Sequence, residues 1–257
     1  MNLEQRVEEM SYTVPSVEEH LPKTTSIPVL DRGMIGLEDW MGSDHRVAQS
    51  AWVSYGKQDS EGKPIHGVIN YMMEHKHGTP FEHVVFTFYI KAPLFVAREW
   101  MRHRIGSFNE ISGRYVTFEP EFYTPDIFRV KGSTNKQGSI FPDDDWARAN
   151  DWISIQDFNE SMAADLTNLY RLVYDRYLEF LDSGVANEQA RMVLPVGLYT
   201  QYFWTVNLRA LLNFLNLRNA DNAQWEIRQY AIAIEELIEE LVPITYQAWI
   251  KNGRNAP

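Results

Sequence analysis

Residues 84–106, VVFTFYIKAPLFVAREWMRHRIG, contain the pattern that decides the fold of this chain. The first seven residues are β-branched and aromatic, and such a short, uniformly apolar run predicts a buried strand. Pro93 suits the first turn of a helix that would include LFVAREWMRHR, and Gly106 is placed to end it. The stretch therefore predicts a strand that passes directly into a helix.

Strands and helices alternate irregularly in the rest of the chain. IPVLDRGMIGLEDW (27–40) predicts a hairpin that turns near Gly33 and Gly36, and LYTQYFWTV (198–206) predicts another strand. Helices are predicted from Ser43 to about Tyr55, from Pro64 to about His75, from about Ala149 to Leu181, over 207–218 and over 223–241. This mixture predicts an α+β fold, in which long helices pack on a small, mainly antiparallel sheet.

One folded domain accounts for most of the length. We expect this domain to span residues 27–250, after an N-terminal arm (1–26) and before a C-terminal tail (251–257). Residues 129–146, RVKGSTNKQGSIFPDDDW, are polar and rich in Gly, Ser and Asn, so they predict a long loop or insertion.

Composition excludes several classes of protein. The formal net charge of −11 argues against a general surface for nucleic acids or anionic membranes. Cysteine is absent, which excludes disulfides, thiolate metal sites and a cysteine nucleophile. No apolar run reaches about 18 residues, the length that spans a bilayer. The acidic start, MNLEQRVEEM, lacks the apolar core of a secretory signal, so we expect a cytoplasmic protein.

Positive charge is concentrated in RHRIGSFNEISGRY (102–115). On the predicted helix Arg98 and Arg102 share one face, whereas three consecutive residues point about 100° apart. These cations could simply complement the dipole at a helix end. The polar residues of the extended segment that follows offer further donors and acceptors: Asn109, Glu110, Ser112 and Arg114. Because a guanidinium fork matches phosphate and amides suit a base or ribose, the segment favours a nucleotide site.

A second polar cluster is HKHGTPFEH (75–83). Its imidazole and carboxylate groups are of the types that bind metals: His75, His77, Glu82 and His83. The Gly-Thr-Pro turn does not impose a known ligand spacing, so a polar turn or contacts to a planar cofactor are favoured over a metal.

The third cluster is NLRALLNFLNLRN (207–219). Arg209, Asn213 and Asn216 fall on one helix face. Four leucines take the other face: Leu208, Leu211, Leu212 and Leu215. A solvated polar face is the simple explanation. Arg191, in ANEQARMVLP, is by itself an ordinary helix arginine.

Together these blocks resemble the flavin-dependent thymidylate synthases, the ThyX family. The arginine-histidine-arginine followed by seven residues and then a serine, Arg102 to Ser112, matches the signature of that family. Further blocks occur in the family's order: HGTPFEHVVFTFYIKAPLFVAREWMRHR, ARMVLPVGLYTQYFWTVNLRALLNFLNLR and AQWEIRQYA. The resemblance covers roughly residues 27–250 and implies the ThyX-like fold.

The resemblance implies reductive methylation of deoxyuridine monophosphate (dUMP) to thymidine monophosphate (dTMP). Methylenetetrahydrofolate would supply the carbon, FAD the hydride, and NADPH would reduce the flavin. The absence of cysteine agrees, because the unrelated thymidylate synthase class uses a cysteine nucleophile and hydride delivery from a flavin needs none. The family also implies a homotetramer with active sites at subunit interfaces.

Roles follow from the resemblance residue by residue. The implied FAD contacts are His77, Thr79, Glu82, Arg102, His103, Arg104, Ile105, Asn109, Glu110, Asn207, Arg209 and Asn213, the last three from another subunit. The implied nucleotide contacts are Glu99, Arg102, Glu110, Ile111, Ser112, Gly113, Arg114, Arg191 and Arg218. Arg114 and Arg191 suit the phosphate, and Arg218 is the implied catalytic residue, which stabilises negative charge on uracil.

Glu99 departs from the family pattern, in which glutamine is expected just before the signature. Its carboxylate could accept a hydrogen bond from a sugar hydroxyl, but its charge would oppose a phosphate. Two alternatives to a thymidylate synthase remain. They are another uridylate-modifying flavoenzyme on the same scaffold, for example a hydroxymethylating one, and a non-catalytic nucleotide- or flavin-binding module.

Overall fold

The computed structural model describes residues 25–54, 56, 64–132 and 138–257. Its strands are β1 (Ser26–Val29), β2 (Gly33–Met41), β3 (Val85–Pro93), β4 (Ser107–Glu110), β5 (Val130–Lys131), β6 (Ser139–Ile140) and β7 (Tyr199–Asn207). Its α-helices are α1 (Asp44–Val53), α2 (Ile65–Glu74), α3 (Leu94–Trp100), α4 (Asp144–Ala149), α5 (Ile155–Asp182), α6 (Asn187–Ala190), α7 (Leu208–Arg218), α8 (Trp225–Glu239) and α9 (Pro243–Lys251). Two 3₁₀ turns cover Thr79–His83 and Arg191–Val193.

A five-stranded antiparallel sheet forms the centre of the protein. Its strand order is β1-β2-β3-β7-β4, and every neighbouring pair is antiparallel. The longest ladder joins β3 to β7 from the Val85–Asn207 pair to the Pro93–Tyr199 pair. β5 and β6 form a separate two-stranded sheet. The predicted α+β class with a mainly antiparallel sheet is confirmed.

Helices cover one face of this sheet, and an aromatic core lies between the helices and the sheet. Trp100 of α3 contacts Trp204 of β7 with ring centroids 5.4 Å apart, and Phe214 of α7 lies 4.9 Å from Trp100 and 5.0 Å from Trp204. Tyr230 of α8 packs 5.6 Å from Trp100. All four rings are fully buried, and burial of such large side chains is a main source of stability. α3, α7 and α8 are therefore anchored on the same sheet face.

The predicted hairpin and the strand at 84–90 are confirmed, although the position of the turn was wrong. The chain turns over residues 30–32, and Leu30 adopts a φ of 61°. Gly33 instead begins β2, where a Cβ atom would lie 2.0 Å from the Tyr230 hydroxyl. This glycine permits close packing of β2 on α8.

The predicted helix through Arg104 is too long. α3 ends at Trp100, so Arg98 is helical, but Arg102 and the next two residues lie beyond the helix. β4 has to begin at Ser107 to pair with Thr205. The intervening residues are needed to carry the chain to that strand, and the helix cannot continue to Gly106.

The helix predicted from about Ala149 begins later, at Ile155, and a separate short helix, α4, precedes it and ends at Ala149. Asp143 caps α4, and Ser154 caps α5 by accepting a hydrogen bond from the Asp157 N–H at 3.1 Å. Each side-chain cap satisfies an N–H group that has no partner within its helix, so the second cap starts a new helix. α5 then runs for 28 residues to Asp182.

Within the predicted insertion at 129–146, the described residues contain the small β5–β6 sheet and the start of α4 in addition to loop, and residues 133–137 lie outside the described ranges. Arg129 anchors this segment to α8 through an ion pair with buried Glu226, and its guanidinium lies 4.9 Å from the ring of Trp225. The segment is therefore attached to the domain at its first residue.

The remaining helix and strand predictions are also confirmed within the described ranges. The predicted helix end near Tyr55 and residues 1–24 of the expected arm lie outside those ranges. At the other end, Arg254 pairs with Glu235 and lies over the Trp249 ring at 4.3 Å, so the expected tail packs on α8 and α9. None of the helices in the described part of the chain is both long enough and apolar enough to cross a membrane.

A buried carboxylate connects α1 to α9, and this connection gives a test of the fold. Asp44 is 5% exposed and accepts hydrogen bonds from Ile244 N, Thr245 N and Thr245 Oγ1 at 2.8, 2.9 and 2.6 Å. Asp44→Ala leaves these donors buried and unpaired, so we expect a loss of about 2–4 kcal/mol in the free energy of unfolding. Urea unfolding at fixed protein concentration measures the change.

The matched control is Glu179→Ala, which removes an exposed carboxylate from its pair with Arg176. Exposed pairs contribute little, so this variant should stay within about 0.5 kcal/mol of the parent. Equal stability of the two variants would contradict a stabilising role for Asp44.

Candidate functional site

Arg218 lies at the centre of a cluster formed by the C-terminal ends of two helices. It is the last residue of α7, and its Nη1 donates to Glu99 Oε1 in the last turn of α3. Its Nε donates to His103 Nε2 at 2.9 Å. Only 20% of the Arg218 side chain and 23% of the Glu99 side chain are exposed. The ion pair is therefore partly shielded from water. In such a partly buried environment, charge interactions are stronger than at the protein surface.

Local contacts fix His103, one of the two acceptors. The His103 backbone N–H donates to the Trp100 carbonyl at 3.0 Å, and the imidazole packs edge-on against Phe214 at 4.9 Å. Phe214 is one helical turn before Arg218, so the same helix that carries the guanidinium also supports its histidine partner.

His103 has to be neutral to accept this hydrogen bond at Nε2, with its proton assigned to Nδ1. Burial, reinforced by the positive charge of Arg218, lowers the pKa of His103 from its ordinary 6.5 to about 4. The histidine of the signature is thus a neutral acceptor at physiological pH.

A second cluster surrounds Arg209 in the first turn of α7. Arg209 Nη1 donates to Glu82 Oε1 at 2.6 Å, and its side chain lies across Gly78. A Cβ atom on Gly78 would be 2.3 Å from Arg209 Nε. The guanidinium therefore packs against the Gly-Thr-Pro turn, and the glycine leaves room for this contact.

A cavity of about 640 Å³ opens beside this arginine. His77 and Thr79 line it, together with the aromatic side chains of Trp52 and Tyr71. Apolar walls with a few polar groups are typical of sites for planar organic ligands.

Asn207 and Asn213 lie on the same helix as Arg209. The Asn207 side chain caps α7 by accepting from the Ala210 N–H at 2.9 Å, and Asn213 is exposed one turn beyond Arg209. The leucines of the opposite face are buried: Leu208, Leu211, Leu212 and Leu215. The predicted division of this helix into a polar face and an apolar face is confirmed.

The histidines of the second motif pack on an aromatic ring. His75 and His77 lie 4.2 and 5.8 Å from the ring of Tyr71, measured between centroids. Among the described residues, no group of three His, Asp or Glu side chains is placed to hold a metal ion.

The signature residues after α3 face outward. Arg102, Arg104 and Ile105 are exposed, and Ile105 is 69% accessible. On β4, Glu110 accepts a hydrogen bond from Thr200 Oγ1 at 2.6 Å. A cavity of about 370 Å³ is lined by residues of this edge, including Asn109, Glu110 and Ile111.

Arg114 and Arg191 lie in neighbouring turns. Arg114 Nε is 3.3 Å from the Glu188 carboxylate, which belongs to the short α6 directly before Arg191. The Ser112 hydroxyl accepts from the Arg114 N–H at 3.3 Å, and Gly113 is buried against Phe118. Arg114 and Arg191 are both exposed, as a site for a phosphate would require.

The structure brings the sequence-predicted residues together in three groups rather than one. Arg209 with His77, Thr79 and Glu82 lies at the start of α7, and Arg218 lies at its end. Nine residues of helix separate the two arginines by about 14 Å along the axis. The Arg114 turn forms the third group.

Sequence reasoning missed the aromatic walls of the larger cavity. Trp52 and Tyr71 belong to amphipathic helices, where an aromatic residue is usually assigned to the core. Tyr71 is nevertheless 51% exposed. No motif marks either residue. Thr200, the partner of Glu110, was also missed, because it lies inside a strand and no motif marks it.

Comparison with known proteins identifies the class of this fold and site. A family model described as "Thymidylate synthase complementing protein" matches residues 36–244. The chain belongs to this family, whose curated members include the flavin-dependent thymidylate synthases. The resemblance found in the motifs is confirmed.

Individual relatives cover nearly the whole domain. A flavin-dependent thymidylate synthase from Thermosipho africanus is 47% identical over 223 residues, 87% of this chain and 93% of that protein. One from Thermus thermophilus is 46% identical over 224 residues, 87% of this chain and 78% of that protein. The crystal structure of a UMP/dUMP methylase, PolB from Streptomyces cacaoi, bound with 5-Br UMP, superposes with a TM-score of 0.77. It is 34% identical, over 90% of this chain and 99% of that one.

The lowered pKa of His103 predicts a pH dependence of stability. The unfolded chain takes up this proton near pH 6.5 and the folded protein only near pH 4, so the stability present above pH 6.5 is lost as the pH falls toward 4. His103→Asn retains an acceptor but cannot titrate. It should therefore lose less stability than the parent over this interval, measured by urea unfolding at a series of pH values.

Arg218→Ala gives a second check by NMR of ¹³C-labelled histidine. The pKa of His103 should rise when the neighbouring charge is removed, yet stay below 6.5 because burial is the larger cause. A His103 resonance that titrates near 6.5 in the parent protein would contradict the neutral assignment.

Proposed function

We propose that this protein is a flavin-dependent thymidylate synthase that reductively methylates dUMP to dTMP. The observation that carries the proposal is the arginine clamp, formed by Arg218 and its two acceptors Glu99 and His103, in a chain of this family. Arg218, held by Glu99 and His103, offers a fixed positive charge where a uracil ring would gain negative charge. The names of the relatives support the same activity.

The residues around the larger cavity fit FAD. Arg209 suits a pyrophosphate, Thr79 and His77 supply polar contacts, and Trp52 and Tyr71 provide apolar surfaces for a planar ring. Gly78 leaves the space that Arg209 occupies. Glu82 orients that guanidinium by accepting a hydrogen bond from its Nη1. When bound and reduced, FAD supplies the hydride of the reaction.

Further FAD contacts are assigned to the signature, with Arg102, His103, Arg104, Ile105, Asn109 and Glu110, and to α7, with Asn207 and Asn213. The nucleotide is assigned to Arg102, Glu110, Ile111, Ser112, Gly113, Arg114, Arg191 and Arg218, and Glu99 adjoins this group through Arg218. Arg114 and Arg191 hold the phosphate, since both are exposed in neighbouring turns. Ser112 acts as a hydrogen-bonding group, because among the described residues no carboxylate or imidazole contacts its hydroxyl.

The finer assignments complete this proposal. Methylenetetrahydrofolate is the carbon donor, NADPH the reductant, and the protein works in the cytoplasm as a homotetramer. Residues 27–250 form its catalytic domain. The distance along α7 between Arg209 and Arg218 supports active sites that are completed by another subunit.

The test is analysis of the product by mass spectrometry. The purified protein with FAD, NADPH, methylenetetrahydrofolate and dUMP should form dTMP, and omission of the folate should abolish the product. Failure of the protein to bind FAD, or a product other than dTMP, would overturn the proposal. A hydroxymethylated product would identify the alternative uridylate-modifying enzyme, and nucleotide binding without turnover a binding module.

One observation supports UMP as an additional substrate. The superposed PolB structure is that of a UMP/dUMP methylase. Parallel assays with UMP and dUMP at equal concentration therefore decide whether this chain also accepts the ribonucleotide. We expect dUMP to be preferred, as the names of the more similar relatives indicate.

Sites shared between subunits predict complementation. Arg102→Ala damages the signature contribution and Arg209→Ala the α7 contribution, so each variant alone should be nearly inactive. Co-expressed chains, separated by two different affinity tags, should regain part of the parent's turnover because some sites contain both intact arginines. Hybrids that remain as inactive as the single variants would contradict shared sites, and light scattering checks the tetramer mass.

A further inference from the structure

We infer that Glu99 is a positioning residue, which orients the guanidinium of Arg218 before the nucleotide binds. This inference rests on the proposed function, because it concerns how Arg218 is prepared for its role there. The partner of the Glu99 carboxylate is then Arg218 of this chain rather than a sugar hydroxyl or a phosphate of the nucleotide.

The geometry of the guanidinium carries the inference. Glu99 accepts from Nη1 and His103 accepts from Nε, so two different nitrogens of one planar group are fixed. Two points of attachment on a planar group determine both its position and its orientation. Within the part of the chain that the structure describes, the other N–H groups of Arg218 have no acceptor, and they remain available to a ligand.

The acceptors themselves are anchored by different means. Glu99 belongs to α3, whose next residue, Trp100, is fully buried in the core. His103 is held by the Trp100 carbonyl and the Phe214 ring. An arginine side chain has many rotamers, and restricting it to one of them costs conformational entropy. The clamp removes that freedom in the folded protein, so the nucleotide does not have to restrict it on binding.

The carboxylate also affects charge. A negative group on Nη1 partly offsets the positive potential of Arg218, and this would weaken the attraction for an anion. An acceptor without charge, as in Glu99→Gln, would position the guanidinium equally well. Positioning by the acceptor therefore predicts that the glutamine variant works and that the alanine variant does not.

The experiment is a double-mutant cycle with FAD saturating. We expect Glu99→Ala to lower kcat by about 10- to 100-fold, the effect of a misplaced catalytic group, with little change in KM. Glu99→Gln should stay within about 3-fold of the parent, since its amide oxygen accepts the same hydrogen bond. Arg218→Lys alone should lose about 10²- to 10³-fold. Because Glu99 acts through Arg218, the Glu99→Ala/Arg218→Lys chain should be within about 3-fold of Arg218→Lys.

Asp221→Ala is the matched control. It removes a carboxylate from another arginine pair near the end of α7, the exposed bond to Arg228 at 2.8 Å, and should turn over like the parent. Glu99→Asp keeps the charge but shortens the reach, so it replaces the alanine variant if that one does not fold. The inference would be overturned if the two substitutions multiply their effects on kcat in the double variant. It would also be overturned if Glu99→Ala or Glu99→Asp turns over normally, or if either variant loses FAD binding.

A measurement on the protein without flavin or nucleotide separates this inference from the proposed function. In protein labelled at arginine ¹⁵Nε, the Arg218 signal is identified by its absence in Arg218→Lys. Its N–H should exchange with solvent at least about 10-fold faster in Glu99→Ala than in the parent, because the clamp is opened. Unchanged exchange would overturn the inference even if the enzyme makes dTMP. Faster exchange would support the clamp even if it does not.

Discussion

The antiparallel pairing of β3 with β7 is the constraint on which the site depends. β3 leads directly into α3 at the end of the ladder that contains Pro93, and β7 leads directly into α7 at the other end. The two helices therefore start from opposite ends of one ladder and run back over the same sheet face. Their C-terminal ends meet, and this places Glu99 beside Arg218 although 119 positions separate them in sequence.

Electrostatics explains why an arginine, Arg218, occupies this meeting point in an acidic protein. The C-terminal end of a helix carries partial negative charge, and here two such ends lie together. Arg218 benefits from both ends and from the Glu99 carboxylate. A histidine in the same place is forced to remain neutral, because burial and the adjacent guanidinium both oppose a second cation. The positive charge of the site is thus assigned to arginine, whose charge does not change with pH.

Sequence reasoning was successful where a local pattern determines the outcome. The apolar run 84–90 and the leucine face of α7 identified buried elements correctly, because side-chain periodicity reports which face meets the core. It failed where another part of the chain decides. The end of α3 at Trp100 follows from the need to reach β4, and Gly33 is explained by the Tyr230 hydroxyl. The family and its activity were accessible because several motifs occur in order. The grouping of Arg218 with His103 depends on strand register, which no short motif encodes.

The contact between Gly78 and Arg209 has a consequence for how the sequence can change over time. The space that glycine leaves empty is filled by the guanidinium, so a larger residue at the turn requires the arginine side chain to move. Although the two positions are 131 residues apart, substitutions at them are therefore coupled. A change of the arginine relieves the steric constraint on the glycine, and a side chain at the turn displaces the arginine from its present contact.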